Sequence, residues 1–264
     1  MQIVDLKPEY EKKYFVCMDT WYEDISEVVR YKENWYSAMK DKGLIVKLAL
    51  VNGVVCGMIQ LVPSDLAFAE GSNFYFIHCI WVHGHRQGIG NYQKQGIGKA
   101  LLQAAEQAAR DGGSDGIAAW GLGIPVWMKA SWYIKQGYEK IDKNGQMVLV
   151  WKPFRDGVTP PKWIKQKKTP EKGDGVVKIT AFRNGWCPVQ NIIFERTRKA
   201  AEEFSDFVKF EEIDTLDRKK FLEWGIADGL YIEGKPIATG APLSEEKIKK
   251  KITRYIKKKR KTKS

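Results

Sequence analysis

The sequence predicts an α/β protein of two successive units, a larger one built on a mixed sheet and a smaller one. Strand-like and helix-like segments alternate through the first unit, and a shorter alternation follows in the second. Between them lies a segment rich in Pro, Gly and Lys without sustained periodicity, as is typical of a linker. We therefore expect a first domain at 1–154, a linker at 155–175, a second domain at 176–257 and a basic tail at 258–264.

The first unit opens with a strand, a helical region, a hairpin and a long apolar strand. The opening strand is QIVDL, and the helical region runs from Pro8 to about Lys42. Two β-rich runs, LIVKLALV and VVCGMIQLV, flank Asn52-Gly53, which is the strongest short signal for a hairpin. The run NFYFIHCIWV at 73–82 is apolar enough to be a central strand.

An amphipathic helix follows this strand and is predicted to end at Gly112-Gly113. Its apolar face is expected to hold Ile97, Leu101, Ala104, Ala105 and Ala108. The strand GIAAWGL, the short helix PVWMKASWYIKQ ending at Gly137, and a hairpin of YEKID and QMVLVWKPF complete the unit. The order β–α–ββ–β–α–β–α–ββ indicates a mixed α/β or α+β domain.

The second unit is predicted to have the order β–α–β–α–ββ–α. The strands are VVKITAFRN and FVKFEEID, with a helix from Pro188 to about Phe204 between them. A helix DRKKFLEWG, a hairpin GLYIEGKPIATGA and a helix SEEKIKKKITRYI follow. Ser244 is a suitable N-cap for the last helix.

The formal net charge of +12 is concentrated at the C-terminal end. Eleven Lys or Arg and no acidic residue lie between Lys247 and Ser264, which leaves the rest of the chain at +1 (12 − 11). We expect YIKKKRKTKS to be a solvated, frayed end, with weak non-specific polyanion binding as the alternative. Because the body of the chain is nearly neutral, nucleic acid is not an expected partner.

Cysteine and histidine usage indicates neither a disulfide nor a metal site. Cys17, Cys56, Cys79 and Cys187 are scattered, without a CxxC pair or zinc spacing, and the chain has three His. The N-terminus MQIVDLKPEYEKK lacks the charged-then-apolar pattern of a secretory signal, and no apolar run is long enough to cross a bilayer. We expect a cytoplasmic protein with no membrane partner and no metal.

The stretch YQKQGIGKALLQAAEQAAR places two glycines at the start of a helix. The first N–H groups of a helix have no intrahelical partner and the helix dipole adds positive charge, so a phosphate binds there if nothing blocks it. Gly96 and Gly98 remove the blocking Cβ atoms and permit positive φ, while Lys94 and Lys99 add charge. The earlier RQGIG at 86–90 leads into another break instead of a helix, so we expect the later copy to bind the phosphate.

Two common phosphate-binding motifs do not fit this loop. A P-loop requires a glycine where Gln93 stands and a hydroxyl residue where Ala100 stands. The dinucleotide fingerprint requires a third glycine, and Leu101 or Gln93 occupies that position. Nucleotide hydrolysis and NAD binding are therefore not expected.

The pattern Gln-x-x-Gly-x-Gly at 93–98 resembles the pyrophosphate-binding loop of the GNAT superfamily of N-acetyltransferases, which bind acetyl-CoA. The later segment SWYIKQGYEKI is similar to the superfamily's Tyr-x-x-x-Gly-Phe segment, with Tyr133, Gly137 and Tyr138 in register. The predicted order of elements at 2–154 also fits the superfamily. The resemblance implies a GNAT acyltransferase fold.

This resemblance implies transfer of an acetyl group from acetyl-CoA to a primary amine of a small molecule or peptide, by direct attack within a ternary complex. It also implies that the strand at 73–82 diverges from its neighbour and leaves backbone groups free for the pantetheine arm. Tyr133 matches the tyrosine that protonates the leaving thiolate, a packed core aromatic being the alternative. The CoA-binding residues implied are Ile80, Trp81, Val82, Gln93, Lys94, Gln95, Gly96, Ile97, Gly98, Lys99 and Ala100.

The general base is not identified by the sequence. Glu70, His78 and Glu23 are candidates by residue type alone, and a core histidine is at least as good an interpretation of His78. Cys79 is either a nucleophile for a two-step transfer or, as we favour, a small buried apolar residue. Val126 stands where the superfamily often has an asparagine, which leaves the pantetheine contacts there open.

Two further features have alternative interpretations. Trp120, Trp127 and Trp132 either wall an apolar acceptor pocket or belong to the core. The stretch at 83–92 is an insertion relative to the superfamily, and it either covers the adenosine phosphates through Arg86 or forms a mobile surface loop.

The segments FIHCIWVHG and NGWCPVQN together are similar to the YoaP-type acetyltransferases, which join a GNAT domain to a small C-terminal domain. The second unit also has a thioredoxin-like order of elements. Cys187 would open a helix after a strand, where a thiolate gains from the dipole, but Gln190 stands in place of a second redox cysteine. We expect a non-redox accessory domain. A non-catalytic acyl-CoA sensor and a thiol protein centred on Cys187 are the alternative functions.

Overall fold

The structure is a computed structural model that describes residues 1–18, 23–124, 128–237 and 243–261. The chain divides into two compact units, one of residues 1–23 and 36–164 and the other of residues 24–35 and 165–264. Both units combine helices with a sheet of mixed strand direction, so the predicted α/β class is confirmed.

The first unit is built on a seven-stranded sheet. The strands of this unit are β1 (Gln2–Asp5), β2 (Ile45–Val51), β3 (Val54–Pro63), β4 (Ala69–Glu70), β5 (Phe74–Val82), β6 (Gly116–Leu122), β7 (Glu139–Asn144), β8 (Met147–Pro153) and β9 (Lys162–Trp163). The sheet order is β1-β2-β3-β5-β6-β8-β7, and only β5 and β6 are parallel neighbours. β4 and β9 form a separate two-stranded pair. The predicted central strand is therefore β5, between β3 and β6.

The helices up to residue 164 are α1 (Glu11–Phe15), α2 (Ile25–Met39), α3 (Ile97–Asp111) and α4 (Ala130–Ile134). The predicted helical region at 8–42 thus consists of α1, α2 and two 3-10 turns, with residues 19–22 outside the described part. α4 is shorter than predicted: it ends at Ile134, and a turn leads to Gly137 at φ +86°, while residues 125–127 of the predicted helix lie outside the described part. The hairpin between β2 and β3 turns through Asn52 and Gly53, both at positive φ, as the sequence predicts.

The core of the first unit forms between α3 and one face of the sheet. Ile97, Leu101 and Ala105 are buried as predicted. The rest of the predicted face is wrong, because the buried side of the helix is rotated slightly about the helix axis. Leu102 and Ala109 are buried, whereas the predicted alanines at 104 and 108 are half-buried. The larger side chain of Leu102 fills the core, and the small alanines flank the contact.

The second unit has a four-stranded sheet of order β11-β10-β12-β13. Its elements are β10 (Val177–Arg183), α5 (Pro188–Glu202), β11 (Val208–Asp214), α6 (Arg218–Trp224), β12 (Gly229–Ile232), β13 (Lys235–Pro236) and α7 (Glu245–Lys261). β10 and β11 are parallel, and the other pairs are antiparallel. This is the order of elements predicted from the sequence, although residues 238–242, at the end of the predicted hairpin, lie outside the described part.

The segments predicted as linker and tail both contain regular structure. β9, inside the predicted linker at 155–175, pairs with β4 through Ala69 and Trp163. Residues 258–261, inside the predicted tail, continue α7. The N–H of Lys247 donates to Ser244 Oγ at 3.4 Å, so Ser244 caps this helix as predicted.

Candidate active site

The two central strands of the first unit separate along their length. β5 pairs with β6 only at residues 74–77, opposite 116–119. Beyond Ile77, β5 stays paired with β3 on its other side, whereas β6 stays paired with β8. A wedge-shaped gap therefore opens between residues 78–82 and the end of β6, and backbone groups along this stretch lose their sheet partner on one side.

A β-bulge sits where the separation begins. Gln60 on β3 stands opposite Cys79, but the next residue, Leu61, stands opposite Ile77, so His78 is the extra residue. The bulge reverses which face the following side chains occupy. Ile80 and Val82 consequently pack on the same core cluster as Ile77, on the α3 side. The indole N–H of Trp120 donates to the His78 carbonyl at 2.8 Å and bridges the gap at this point.

The N-terminus of α3 is open to solvent. Gly96 is its N-cap at φ +80°, and no side chain of the described residues caps the helix. A Cβ built at Gly96 would meet nothing within 4 Å, while one at Gly98 would lie 3.5 Å from the Trp132 ring and 3.9 Å from Val82. The space above the first backbone N–H groups is thus free for an anion, next to the gap beside β5.

The loop before α3 is held in shape by Gln93. Its Nε2 donates to the Val82 carbonyl at 3.2 Å, and its backbone N–H donates to Asn91 Oδ1 at 2.9 Å. Gly84 provides the space for this side chain, because a Cβ there would lie 2.2 Å from Gln93 Nε2. Lys94 adopts φ +63°, a conformation that costs about 1 kcal/mol for a non-glycine residue. The loop is therefore tied to the end of β5.

The inserted stretch at 83–92 is closed at its base. The Tyr92 N–H donates to the His83 carbonyl at 2.9 Å, and His83 Nδ1 lies 2.6 Å from the Gly90 carbonyl, so this nitrogen carries the proton. Burial lowers the pKa of His83, although the Gly90 carbonyl acts in the opposite direction. Arg86 is exposed on this loop, and no helix follows Gly90.

Tyr133 presents a buried hydroxyl without a hydrogen-bond partner among the described residues. It lies on α4, is 1% exposed, and packs edge-on against Trp132 and Tyr138. Burial, with a smaller effect of Cys79, raises its pKa well above the ordinary tyrosine value. The hydroxyl is therefore held protonated, and it retains a donor to offer.

Cys79 lies in a buried polar environment on the other face of the sheet. Its cross-strand neighbour Gln60 is fully buried, and Gln60 Oε1 accepts from the Tyr14 hydroxyl at 2.7 Å. Cys79 also contributes to raising the pKa of both Tyr14 and Tyr133. Gln60 and Cys79 of the sheet and the Tyr14 hydroxyl of α1 thus form a small polar group where the gap begins.

The candidate bases predicted from the sequence are not brought together. His78 packs between Phe68 and Phe76, with ring centroids 4.3 and 5.4 Å away. Glu70 is exposed at the end of β4, and Glu23 is exposed before α2. Of the three tryptophans predicted near the site, Trp120 bridges the gap and Trp132 lies next to Gly98. The third, Trp127, lies outside the described residues, as does Val126.

The second unit contains a half-buried carboxyl that no sequence motif indicates. Asp228 accepts from the Asn184 N–H at 3.0 Å and from Trp186 Nε1 at 2.7 Å. Burial raises its pKa to about 6, against the effect of these hydrogen bonds. Cys187 is the next residue after Trp186 and is the half-buried N-cap of α5. The lone Asp in GIADGLYIEG carries no spacing signal that would have revealed this contact.

The described residues contain neither a metal-binding cluster nor a membrane-spanning helix. In the part of the chain that the structure describes, no group of three or more His, Cys, Asp or Glu is placed to bind a metal. Across the same residues, no helix combines the length and apolarity needed to span a membrane.

Comparison with known families supports the resemblance seen in the sequence. Residues 5–122, just under half of the chain, match the family model described as the acetyltransferase (GNAT) family. The matched residues include β5, the loop at 93–98 and α3. The predicted fold class is thereby confirmed, and residues 5–122 are similar to the GNAT family. A search of curated proteins found no match to the chain.

Several solved structures are similar to this chain at low sequence identity. They include PaiA N-acetyltransferase from Thermoplasma acidophilum in complex with coenzyme A, at 18% identity and TM-score 0.43, covering 58% of this chain and 100% of that chain. Ribosomal-protein-alanine N-acetyltransferase from Brucella melitensis matches at 15% identity and TM-score 0.45, covering 58% and 100%. YhbS of Escherichia coli in complex with CoA matches at 15% identity and TM-score 0.45, covering 61% and 88%.

Proposed function

We propose that the first unit is an N-acetyltransferase that moves an acetyl group from acetyl-CoA to a primary amine of a small molecule or peptide. The observation that carries this proposal is the open N-terminus of α3, which lies beside the gap that begins where β5 leaves β6. An anion-binding helix end and a row of unpaired backbone groups fit the diphosphate and the amide-bearing arm of CoA respectively. The family match supports the same assignment.

The donor site is proposed to have two parts. The loop and first turn of α3 would hold the diphosphate through backbone N–H groups and nearby lysines, and this part comprises Gln93, Lys94, Gln95, Gly96, Ile97, Gly98, Lys99 and Ala100. The free edge of β5 would hold the pantetheine arm, and this part comprises Ile80, Trp81 and Val82. The exposure of Gly96 and the half-exposure of the three β5 residues suit these roles.

The proposed reaction is a direct attack of the amine on the thioester carbonyl that acetyl-CoA supplies. A C–N bond forms, the C–S bond breaks, and the amine loses a proton. An amine with an ordinary pKa of about 10 must be deprotonated first, by a base or by desolvation. The Tyr133 hydroxyl is proposed to donate to the sulfur as negative charge develops there. Its raised pKa keeps the proton on the tyrosine oxygen, so the hydroxyl stabilises the leaving thiolate by a hydrogen bond, and the thiolate takes its proton from water.

The second unit is proposed to be a thioredoxin-like accessory domain, as in YoaP-type acetyltransferases, in a protein of the cytoplasm. Its order β10-α5-β11-α6-β12-β13-α7, with a parallel pair followed by an antiparallel hairpin, supports this proposal. Gln190 stands where a redox thioredoxin carries its second cysteine, which supports a non-redox role for Cys187.

The experiment is an assay of thiol release from acetyl-CoA with a panel of primary amines, comparing the full chain with Tyr133→Phe. We expect turnover with at least one amine, about a 100-fold lower kcat in Tyr133→Phe, and unchanged CoA affinity. The substitution should preserve stability, because the hydroxyl has no partner to lose.

Tyr138→Phe is the matched control, since its ring lies 5.4 Å from Tyr133 and is similarly buried. It should keep kcat within a few-fold. Equal losses in the two variants would contradict a specific role for the Tyr133 hydroxyl. CoA binding without thiol release from any amine would favour the sensor, and the absence of CoA binding would overturn the donor site.

A further inference from the structure

We propose that the outer face of α7 is a binding surface for the phosphodiester backbone of nucleic acid. This inference is independent of the acetyltransferase proposal. The sequence predicted a frayed basic end, but α7 continues to Lys261 and packs through the buried side chains of Ile248, Ile252 and Ile256. These isoleucines recur every four residues and fix which way the helix faces.

The cations of the helix fall on the opposite side. At 3.6 residues per turn, seven of them share one stripe and all seven are exposed. This basic stripe consists of Lys247, Lys250, Lys251, Arg254, Lys257, Lys258 and Lys261. It runs for about 21 Å, from 14 steps of about 1.5 Å along the helix axis.

Two of the three cations of α7 outside the stripe are neutralised by ion pairs, and the third, Arg260, lies over the Phe207 ring. Lys249 pairs with Glu203 at 2.5 Å and with Glu245 at 2.7 Å, and Lys259 pairs with Glu233 at 2.6 Å. Five members of the stripe have no ion pair with any described residue; these are Lys247, Lys250, Lys251, Arg254 and Lys257. These five side chains thus carry charge that no described carboxylate compensates.

The stripe is unfavourable for the isolated protein. Like charges four residues apart on a helix repel each other, and the stripe contains four such pairs: 247/251, 250/254, 254/258 and 257/261. A polyanion laid along the helix would remove this repulsion. The arrangement therefore indicates an external partner instead of internal stabilisation.

Nucleic acid fits the stripe better than a membrane or an acidic protein. A duplex carries one charge per about 1.7 Å, so a run of about 21 Å offers more phosphates than the stripe has cations. An amphipathic helix on a bilayer buries its apolar face among the lipids, but the apolar face of α7 is already buried in its own unit, which leaves only surface attraction to anionic headgroups. A protein partner would require an apolar centre, which the stripe does not have. With six lysines and one arginine, the stripe should bind without sequence preference.

The test measures binding of the full chain to a fluorescein-labelled 20-base-pair duplex, as RNA and as DNA, by anisotropy between 50 and 200 mM KCl. The variant is Lys250→Glu/Arg254→Glu/Lys257→Glu. The control is Lys209→Glu/Lys219→Glu/Lys220→Glu, which changes the net charge equally at exposed lysines of β11 and α6. We expect the stripe variant to lose at least 30-fold in affinity at 50 mM KCl and its salt slope to fall by about 3. The control should stay within three-fold.

Several results would overturn the proposal. Equal losses in both variants would show a net-charge effect without a defined surface. Stripe-dependent binding to vesicles of phosphatidylserine and phosphatidylcholine without binding to either duplex would assign the surface to membranes, and no duplex binding at all would leave it without this role. If the glutamate variant does not fold, Lys250→Gln/Arg254→Gln/Lys257→Gln replaces it. That variant should unfold at a higher temperature, because it removes repulsion, and should lose at least ten-fold in duplex affinity.

Discussion

The N-termini of α3 and α5 differ in how their free backbone N–H groups are surrounded. Both helices have 15 residues and follow a strand, and both begin with backbone N–H groups that have no intrahelical partner. At α3 the cap is an exposed glycine in the left-handed region, with empty space around it. At α5 the cap is Cys187 in an extended conformation, followed by a buried Pro188 that removes one donor altogether.

The residues around the two helix starts also differ in their exposure to solvent. Residues 93–96 before α3 are exposed, whereas Asn184, Trp186 and Asn191 around the start of α5 are buried and hydrogen-bonded within their own unit. A helix dipole is present in both cases. The comparison shows that the residues before the helix decide whether its positive end is offered to a ligand or enclosed by the protein.

The largest effect is expected from an acid at the open helix start. Gly98→Asp should weaken CoA binding about 100-fold, close to 3 kcal/mol, because a carboxylate would occupy the position proposed for the diphosphate. The melting temperature should not fall, since an acid in the first turn is favourable for the helix dipole. Calorimetric titration with CoA and thermal unfolding measure the two quantities.

Two controls separate charge from shape in this experiment. Gly98→Ala adds only a Cβ at ordinary contact distances from Trp132 and Val82, so CoA affinity should change less than five-fold. Gln190→Glu places the same type of charge in the first turn of α5 and should leave CoA affinity unchanged. If alanine and aspartate at residue 98 weaken binding equally, steric blockage and not anion competition explains the effect.

The next effect concerns the enclosed start of α5 and depends on pH. The pKa of Asp228 is about 6 in the folded protein and about 4 in the unfolded chain, so between these values the folded protein retains a proton that the unfolded chain has released. Stability therefore falls as pH rises through this window and levels off above about pH 7. Asp228 should lower the free energy of unfolding by about 1 kcal/mol between pH 5 and pH 7.5.

Urea unfolding of Asp228→Asn at the two pH values tests this assignment. The variant should lack that decrease, although it loses one acceptor for the Asn184 N–H or Trp186 Nε1 and is less stable at pH 5. Asp206→Asn, at an exposed carboxylate, should keep the pH dependence of the unchanged protein. An Asp228→Asn curve parallel to that of the unchanged protein would place the titrating group elsewhere.

Local sequence signals were sufficient to predict most of the fold. The Asn52-Gly53 hairpin, the glycine before α3 and the serine before α7 each fix their turn or cap through a conformation or contact that few other residues supply. The rotation of the α3 face was not predictable, because alanine and leucine at adjacent positions satisfy the same periodicity. Only contact with the sheet decides which of them is buried.

The sequence predicted the loop of the candidate site but not the arrangement of the buried residues behind it. The glycines and Gln93 are visible as a short motif, but the bulge at His78 depends on how β3 and β5 pair over long range. The packing of His78 between aromatic rings follows from that pairing, and the isolation of the Tyr133 hydroxyl depends on the aromatic side chains packed around α4. The same limit applies to Asp228, whose burial depends on residues more than 40 positions away.

The smallest effect tests how the open helix start is kept in shape. Gln93→Leu removes the bond to the Val82 carbonyl and should weaken CoA binding three- to ten-fold, about 1 kcal/mol, by loosening the loop without touching the anion position. Gly84→Ala should have a similar effect, because its Cβ would displace Gln93 Nε2. The double variant should be no weaker than either single variant, since both remove one contact. Additive losses by calorimetry would show that Gly84 and Gln93 act independently, and that the open end of α3 keeps its shape without the tie to β5.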